Sequence, residues 1–128
     1  PLLDRIDLKV ELQAVARAEL LADRAFAESS ATVAARVAGA RERARERLAG
    51  TPWRTNAVIP GARLRRDFPV EPAGLRVLGR AMDAGQISAR GVDRALRVAW
   101  TLADLAGRDR PTEEETSYAF ALWSGRAW

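Results

Sequence analysis

Apolar residues recur every three or four positions, the spacing of a helix, through most of the chain after residue 28. In the first and longest such stretch, Ser29 or Ser30 is the candidate capping residue and Gly50 ends the pattern. One face of the predicted helix carries Val33, Val37, Ala40, Ala44 and Leu48. This spacing predicts a long amphipathic helix over residues 29–50, with a short helix following over residues 61–67.

Two further helices are predicted from spacing and capping signals. One covers residues 71–84, where Pro72 is tolerated in the first turn and the inward side chains are Leu75, Leu78 and Met82. The other begins at Thr112, which forms a capping-box pattern with Glu115. Its predicted inward side chains are Tyr118, Ala119 and Leu122.

Residues 88–107, between these two helices, form the clearest amphipathic pattern in the chain. Ser88 caps the predicted helix, Gly107 ends it, and its apolar face carries Val92, Leu96, Ala99, Leu102, Ala103 and Ala106. The opposite face carries a row of guanidiniums, Arg90, Arg94 and Arg97. Such a row either offers bidentate donors to a phosphate or is the solvated side of the helix. Gly91 in the first turn indicates close approach by a ligand or by another helix.

The start of the chain follows a different pattern. Residues 6–12 alternate apolar and polar side chains, as in a strand with one buried face. Since the rest of the chain offers this strand no partner, we expect residues 1–12 to be the remnant of a sheet, and the chain to be an excised fragment. Residues 13–28, which are rich in alanine, are expected to be a helical segment that connects this remnant to a helical domain over residues 29–128. The predicted fold class is all-α, a small helical bundle preceded by a β-strand remnant.

Arginine supplies nearly all of the positive charge. The 128 residues include 21 basic and 17 acidic side chains, a formal net charge of +4, and Lys9 is the single lysine. Residues 36–66 hold nine arginines and two glutamates; the candidates for contact with a nucleic-acid backbone are Arg41, Arg43, Arg45, Arg47 and Arg54. The alternative is a solvated helix face with local pairs such as Glu42 with Arg45. Trp53 would either stack on a base or cover an edge of the core.

Missing residue types exclude several kinds of chemistry. The chain has no cysteine and no histidine, so it can form neither a disulfide framework nor a histidine-based metal or proton-transfer site. No GxxxxGK[ST] phosphate loop occurs. The glutamates at residues 113–115 are interpreted as charges that favour a helix N-terminus. No apolar run approaches the roughly 20 residues of a membrane span, and we expect a soluble, cytoplasmic protein with no membrane partner.

Three segments together resemble the C-terminal part of the magnesium-chelatase-like AAA+ ATPases, in particular the ComM/YifB-type branch. PLLDRIDLKVEL at residues 1–12 is similar to the segment that closes the ATPase core. Residues 33–66 resemble the long arginine-rich helix and the "NA" loop after it, and ISARGVDRALRVAWTLADLAG at residues 87–107 is close to a family signature. The chain departs from the pattern at Trp100, where an arginine is usual, and at Thr116 or Ser117, near which a histidine is common.

The resemblance implies roles for individual arginines. Arg5 would be the arginine finger that reaches ATP bound to the neighbouring subunit of a ring, and Arg90 would be the sensor-2 arginine that contacts ATP in its own subunit. Arg94 and Arg97 are supporting candidates on the same helix face. Without the resemblance, Arg5 between Asp4 and Asp7 is interpreted as a member of a surface ion pair of little energetic weight.

The resemblance also implies partners and an activity for a longer parent protein. That parent would carry the AAA+ core missing here, bind ATP and Mg²⁺, assemble as a homo-hexamer and act on DNA as a helicase or branch-migration motor. Without Walker motifs, the fragment alone is expected to hold no cofactor or metal and to hydrolyse no ATP. Two alternatives stay open: a standalone basic helical DNA-binding module, and the motor subunit of a true magnesium chelatase.

Overall fold

The described part of the chain is a bundle of α-helices. A computed structural model describes residues 5–22 and 27–126. Its helices are α1 (Arg17–Ala22), α2 (Ser30–Arg47), α3 (Gly61–Asp67), α4 (Pro72–Asp83), α5 (Ala89–Ala106) and α6 (Glu113–Ser124), with a 3₁₀ turn at Asn56–Val58. No β-strand occurs in the described ranges, which confirms the all-α class. No helix in these ranges is both long and apolar enough to cross a membrane.

Local capping signals set the helix boundaries. The hydroxyl oxygen of Ser29 accepts a hydrogen bond from the Thr32 N–H at 3.1 Å at the start of α2. At α6 the predicted capping box is confirmed, because the Glu115 carboxylate accepts from the Thr112 N–H at 2.8 Å. Gly107 ends α5 with a φ of 70°, a left-handed conformation that favours glycine.

Helix α5 lies at the centre of the bundle and packs against α6, α2 and α3. Its predicted apolar face is confirmed at Val92, Leu96, Ala99 and Ala103, which are buried, whereas Ala106 is exposed. Trp100 is also buried, and its indole N–H donates to the Phe68 carbonyl at 3.0 Å. The largest apolar side chain on α5 therefore enters the core with its polar atom satisfied.

Three apolar residues predicted to face inward on α4 and α6 are exposed instead. Leu78 on α4 is buried as predicted, but Leu75 is 53% exposed and Met82 is 49% exposed. The reason is that α4 approaches α6 through Gly74, where a Cβ would clash with Thr116, so the contact face is rotated toward the small residue. The prediction that Tyr118 on α6 faces inward is also wrong, because this residue is 41% exposed.

The strand predicted over residues 6–12 is not formed. These residues have no regular secondary structure, and the expected inner positions Leu8, Val10 and Leu12 are exposed. A strand needs a neighbour that completes its hydrogen bonds, and the described helices provide none. The Lys9 N–H donates instead to the carbonyl of Leu122 at the end of α6, at 2.8 Å.

Candidate functional site

The candidate phosphate-contact residue Arg90 lies in the first turn of α5. The Ser88 hydroxyl caps this turn by accepting a hydrogen bond from the Gly91 N–H at 3.1 Å. The Arg90 side chain is exposed and has no hydrogen-bond or salt-bridge partner among residues 5–22 and 27–126. Helix N-termini favour anions through their free N–H groups and dipole. Arg90 therefore adds a guanidinium where an anion is already favoured.

Gly91 allows α6 to approach this turn. A Cβ at this position would lie 2.6 Å from Ile87 Cγ1 and 2.8 Å from Trp123 Cζ2. Of the two interpretations left open for this glycine, the structure supports close approach by another helix.

Arg94, one turn further along α5, is engaged with the start of the chain. Its Nη1 forms a salt bridge with the Asp7 carboxylate and donates to the backbone carbonyl of Arg5 at 3.0 Å. Its side chain is 19% exposed, and its buried Nε has no partner among the described residues. The guanidinium is thus held between α5 and the segment that carries Arg5.

Arg97 completes the predicted row and is also engaged within the protein. Its Nε and Nη2 both donate to the carbonyl of Ile59, at 3.1 and 2.9 Å. This bidentate contact fixes the loop after the 3₁₀ turn against α5. Of the three arginines in the row, Arg90 is the one whose guanidinium is directed to solvent.

Arg5, the candidate arginine finger, is exposed at the edge of the described structure. Asp7, one of the two acids considered as its ion-pair partner, forms its salt bridge with Arg94. The other acid, Asp4, lies outside the described residues. The Arg5 side chain makes no salt bridge within the described ranges, and its main chain is the part that Arg94 holds.

A second arginine cluster joins α2, the 3₁₀ turn and α5. Both Nη atoms of Arg47 bond the carboxylate of Asp104, which is 2% exposed, and Nη2 also donates to the Asn56 side chain at 2.8 Å. Asn56 in turn donates to Asp104 at 3.0 Å. The Arg47 guanidinium carbon lies 4.2 Å from the Trp100 ring centre, within range of a cation–π interaction. A fully bonded buried carboxylate of this kind fixes the relative position of three elements.

The remaining candidates for nucleic-acid contact differ in whether they are engaged within the protein. Arg43 is exposed but donates to the backbone carbonyl of Asp104 at 2.6 Å, so it shares the cluster of Arg47. Arg41, Arg45 and Arg54 are exposed. Arg45 forms the predicted local salt bridge with Glu42 while its side chain stays 75% exposed.

Trp53 is bound into the protein. Its ring lies 6.3 Å from the ring of Phe68 in an edge-on arrangement, and it packs against the core as a partly buried side chain. The guanidinium of Arg63 lies 5.6 Å from the same ring. The structure therefore places Trp53 at an edge of the core, one of the two positions considered for it.

The acidic start of α6 has a structural role at Glu115. Burial alone would raise the pKa of this carboxyl group. Hydrogen bonds from the Thr112 hydroxyl and backbone, together with the nearby charge of Arg108, outweigh burial and hold the pKa below its ordinary value. Arg108 also forms salt bridges with Glu114 and Glu115.

The sequence did not predict the observed salt-bridge partners of two acids in these clusters, Asp7 and Asp104. Asp104 follows Arg97 by seven residues, so helical spacing places it beside the arginine row and not on the predicted apolar face. Asp7 was considered only as a partner of Arg5, whereas the structure pairs it with Arg94, 87 residues away. Within the described ranges, no group of three or more acidic residues is arranged to hold a metal ion.

Comparisons with known proteins agree with this helical domain. A family model described as magnesium chelatase, subunit ChlI C-terminal, matches residues 27–122. Uncharacterized proteins of Mycobacterium bovis and Mycobacterium tuberculosis are 46% identical to the chain over 122 residues, covering 95% of this chain and 24% of their own length. The chain thus spans about a quarter of these relatives. No solved structure matches it.

Proposed function

The chain belongs to the magnesium chelatase ChlI C-terminal family, and we propose that it is the lid of an AAA+ ATPase in which Arg90 contacts the nucleotide. The observation that carries the proposal is the position of Arg90, an exposed guanidinium in the first turn of the central helix α5. Its neighbours in the row, Arg94 and Arg97, are engaged within the protein. We therefore propose Arg90 alone as the sensor-2 contact.

The donor set of this turn fits a phosphate group. A guanidinium offers two parallel N–H donors to phosphate oxygens, and the helix N-terminus beneath it adds a favourable dipole. ATP, when bound, would supply the phosphoryl group whose transfer drives the motor. The described residues provide no cluster of carboxylates for Mg²⁺. We assign Mg²⁺ binding and the Walker motifs to the AAA+ core of a longer protein.

We further propose that Arg5 is the arginine finger of a homo-hexameric ring. The support is its exposed side chain, together with the salt bridge that commits Asp7 to Arg94. A finger supplied to a neighbouring subunit stabilises charge on the transferred phosphoryl oxygens and contributes about 10³–10⁵ in rate. Arg5 and Arg90 would then act on different nucleotides, one across the subunit boundary and one within the subunit.

The test measures ATP hydrolysis by the longer protein with Arg5→Ala, Arg90→Ala and the control Arg76→Ala on the exposed side of α4. Arg5→Ala is expected to lower kcat by at least about 10³-fold with little change in KM, because the finger acts on the transition state. Arg90→Ala is expected to raise KM for ATP. The assignments are overturned if both variants match the Arg76→Ala control.

We propose DNA as the substrate on which the motor works. The support is the exposure of Arg41, Arg45 and Arg54, which leaves three of the five candidate arginines available to phosphates. Branched DNA is expected to stimulate ATP hydrolysis by the longer protein, and replacing all three arginines with glutamine should reduce the stimulation and its salt dependence. Binding of DNA by this chain alone, with a steep salt dependence, would instead support a standalone DNA-binding module.

The family description gives specific support to a second candidate, the motor subunit of a magnesium chelatase. Such a motor would act on a partner protein that inserts Mg²⁺ into a porphyrin. ATP hydrolysis stimulated by that partner and unaffected by DNA would favour this candidate. Stimulation by DNA alone would reject it.

A further inference from the structure

We propose that Arg94 is a positioning residue that ties the segment carrying Arg5 to the helix carrying Arg90. The inference rests on the proposed function of Arg5 and extends it to the way the finger is held. Arg94 contacts this segment twice, through the Asp7 carboxylate and through the backbone carbonyl of Arg5 at 3.0 Å. The second contact fixes the main chain at the finger position itself.

The burial of the Arg94 guanidinium makes this contact directional. The side chain is 19% exposed, whereas that of Asp7 is 49% exposed. Its Nε is buried with no partner among the described residues. A guanidinium donates in the plane of its fork, so a largely buried one presents Nη1 in a single direction. The start of the chain must meet Arg94 in that direction.

A second attachment lies two residues beyond Asp7. The Lys9 N–H donates to the Leu122 carbonyl at 2.8 Å, and the Lys9 ammonium lies 4.8 Å from the Trp123 ring centre. These contacts join the segment to α6, while Arg94 joins it to α5. Residues 5–9 are therefore held at both ends against the bundle, and movement of α5 would move the main chain of Arg5 with it.

The ion pair between Arg94 and Asp7 is weak, so its loss should affect turnover more than folding. An ion pair with a half-exposed partner such as Asp7 contributes little to stability, so breaking it should leave the bundle folded. A finger acts only when it is placed accurately, and a displacement of about 1 Å can lower a rate by roughly 10²-fold. Loss of Arg94 is therefore expected to affect turnover much more than folding.

The first experiment measures the position of the segment in this chain and needs no ATPase activity. The chain lacks cysteine, so spin labels can be placed at two exposed positions by Ile6→Cys and Leu105→Cys. Pulsed electron paramagnetic resonance should give one narrow distribution of distances between the two labels. We expect Arg94→Gln to broaden this distribution and the control Arg76→Gln to leave it unchanged. An unchanged distribution in Arg94→Gln overturns the proposal.

The second experiment measures kcat and KM in the longer protein. Arg94→Gln and Asp7→Asn should each lower kcat by roughly tenfold to a hundredfold with KM unchanged. The double variant should be no slower than Arg94→Gln alone, because Arg94→Gln already removes the contact that Asp7→Asn weakens. Arg94→Lys, which keeps the charge and one donor to the carbonyl of Arg5, should recover part of the rate.

The outcomes separate this inference from the proposed function. If Arg5→Ala leaves turnover intact, the finger assignment fails even when the spin-label result stands. If Arg5→Ala abolishes turnover but Arg94→Gln leaves kcat unchanged, the positioning role fails alone. A rise in KM without a fall in kcat in Arg94→Gln would show a direct nucleotide contact and would also overturn the inference.

Discussion

Replacing Arg47 with alanine tests whether the arginine-rich helix α2 serves the fold or a partner. In the structure both Nη atoms of Arg47 bond the carboxylate of Asp104, and Nη2 also bonds Asn56. Arg45, two residues earlier on the same helix, forms a salt bridge with Glu42 at the surface. The two arginines have the same chemistry and the same helix, so they form a matched pair that differs in burial.

The expected magnitude follows from what Arg47→Ala leaves behind. Asp104 is 2% exposed, and it would keep Asn56 as a donor to its side chain but lose the opposing charge. Removing one member of a buried ion pair costs about 3–5 kcal/mol. The lost contact with the Trp100 ring adds about 0.5–2 kcal/mol. Arg45→Ala, whose side chain is 75% exposed, should cost less than about 1 kcal/mol.

Urea unfolding followed by circular dichroism measures both changes as shifts in midpoint at constant slope. Because a small domain has only about 5–15 kcal/mol of stability, Arg47→Ala could be too unstable to measure. Arg47→Lys then provides a milder step, since a lysine keeps the charge but loses the bidentate fork. A difference of less than about 1 kcal/mol between Arg47→Ala and Arg45→Ala would contradict a structural role for Arg47.

Two further predictions concern a close helix contact and a buried carboxylate. Gly91→Ala should destabilise the chain by about 1–3 kcal/mol, because its Cβ would meet Trp123. The control Gly79→Ala, with open space around its Cβ, should stabilise it by about 0.5–1 kcal/mol in thermal unfolding. The pKa of Glu115 is lower when folded than its ordinary 4.5, so its stabilisation is present above that pH and lost as pH falls through the folded pKa. Glu115→Gln should flatten the acid side of the stability profile, and an unchanged profile would contradict this.

Helix existence and boundaries could be predicted from sequence because they depend on neighbours in the chain. Ser88 and Gly107 begin and end α5 as predicted, and Thr112 caps α6 with Glu115. The inward face of α4 was predicted less well. Its orientation depends on where α6 makes contact, and Gly74 rather than Leu75 provides that contact. Apolar periodicity identifies the side chains that could be buried, while the partner helix decides which of them are.

The roles of individual arginines could not be separated from sequence for a related reason. Arg45 and Arg47 occupy the same charged stretch, yet one is at the surface and the other is bonded to an acid 57 residues later. A local charge pattern does not predict which arginine will bond to a residue so distant in the chain. The acid itself, Asp104, is no clearer from sequence, since spacing places it beside Arg97 in the arginine row although it is 2% exposed in the structure.

Arg90 stands apart from the other arginines of α5 because its local surroundings disfavour it. A cation in the first turn opposes the helix dipole at a cost of about 0.3–1 kcal/mol, and no acidic partner among the described residues offsets it. Residues that conflict with local structure in this way are expected at functional sites. Arg90→Glu removes this unfavourable cation and adds a favourable anion, so it should stabilise this chain by about 0.6–2 kcal/mol in urea unfolding, while it weakens ATP binding by the longer protein. A loss of stability would show that Arg90 serves the fold, and the sensor-2 proposal would lose its main physical support.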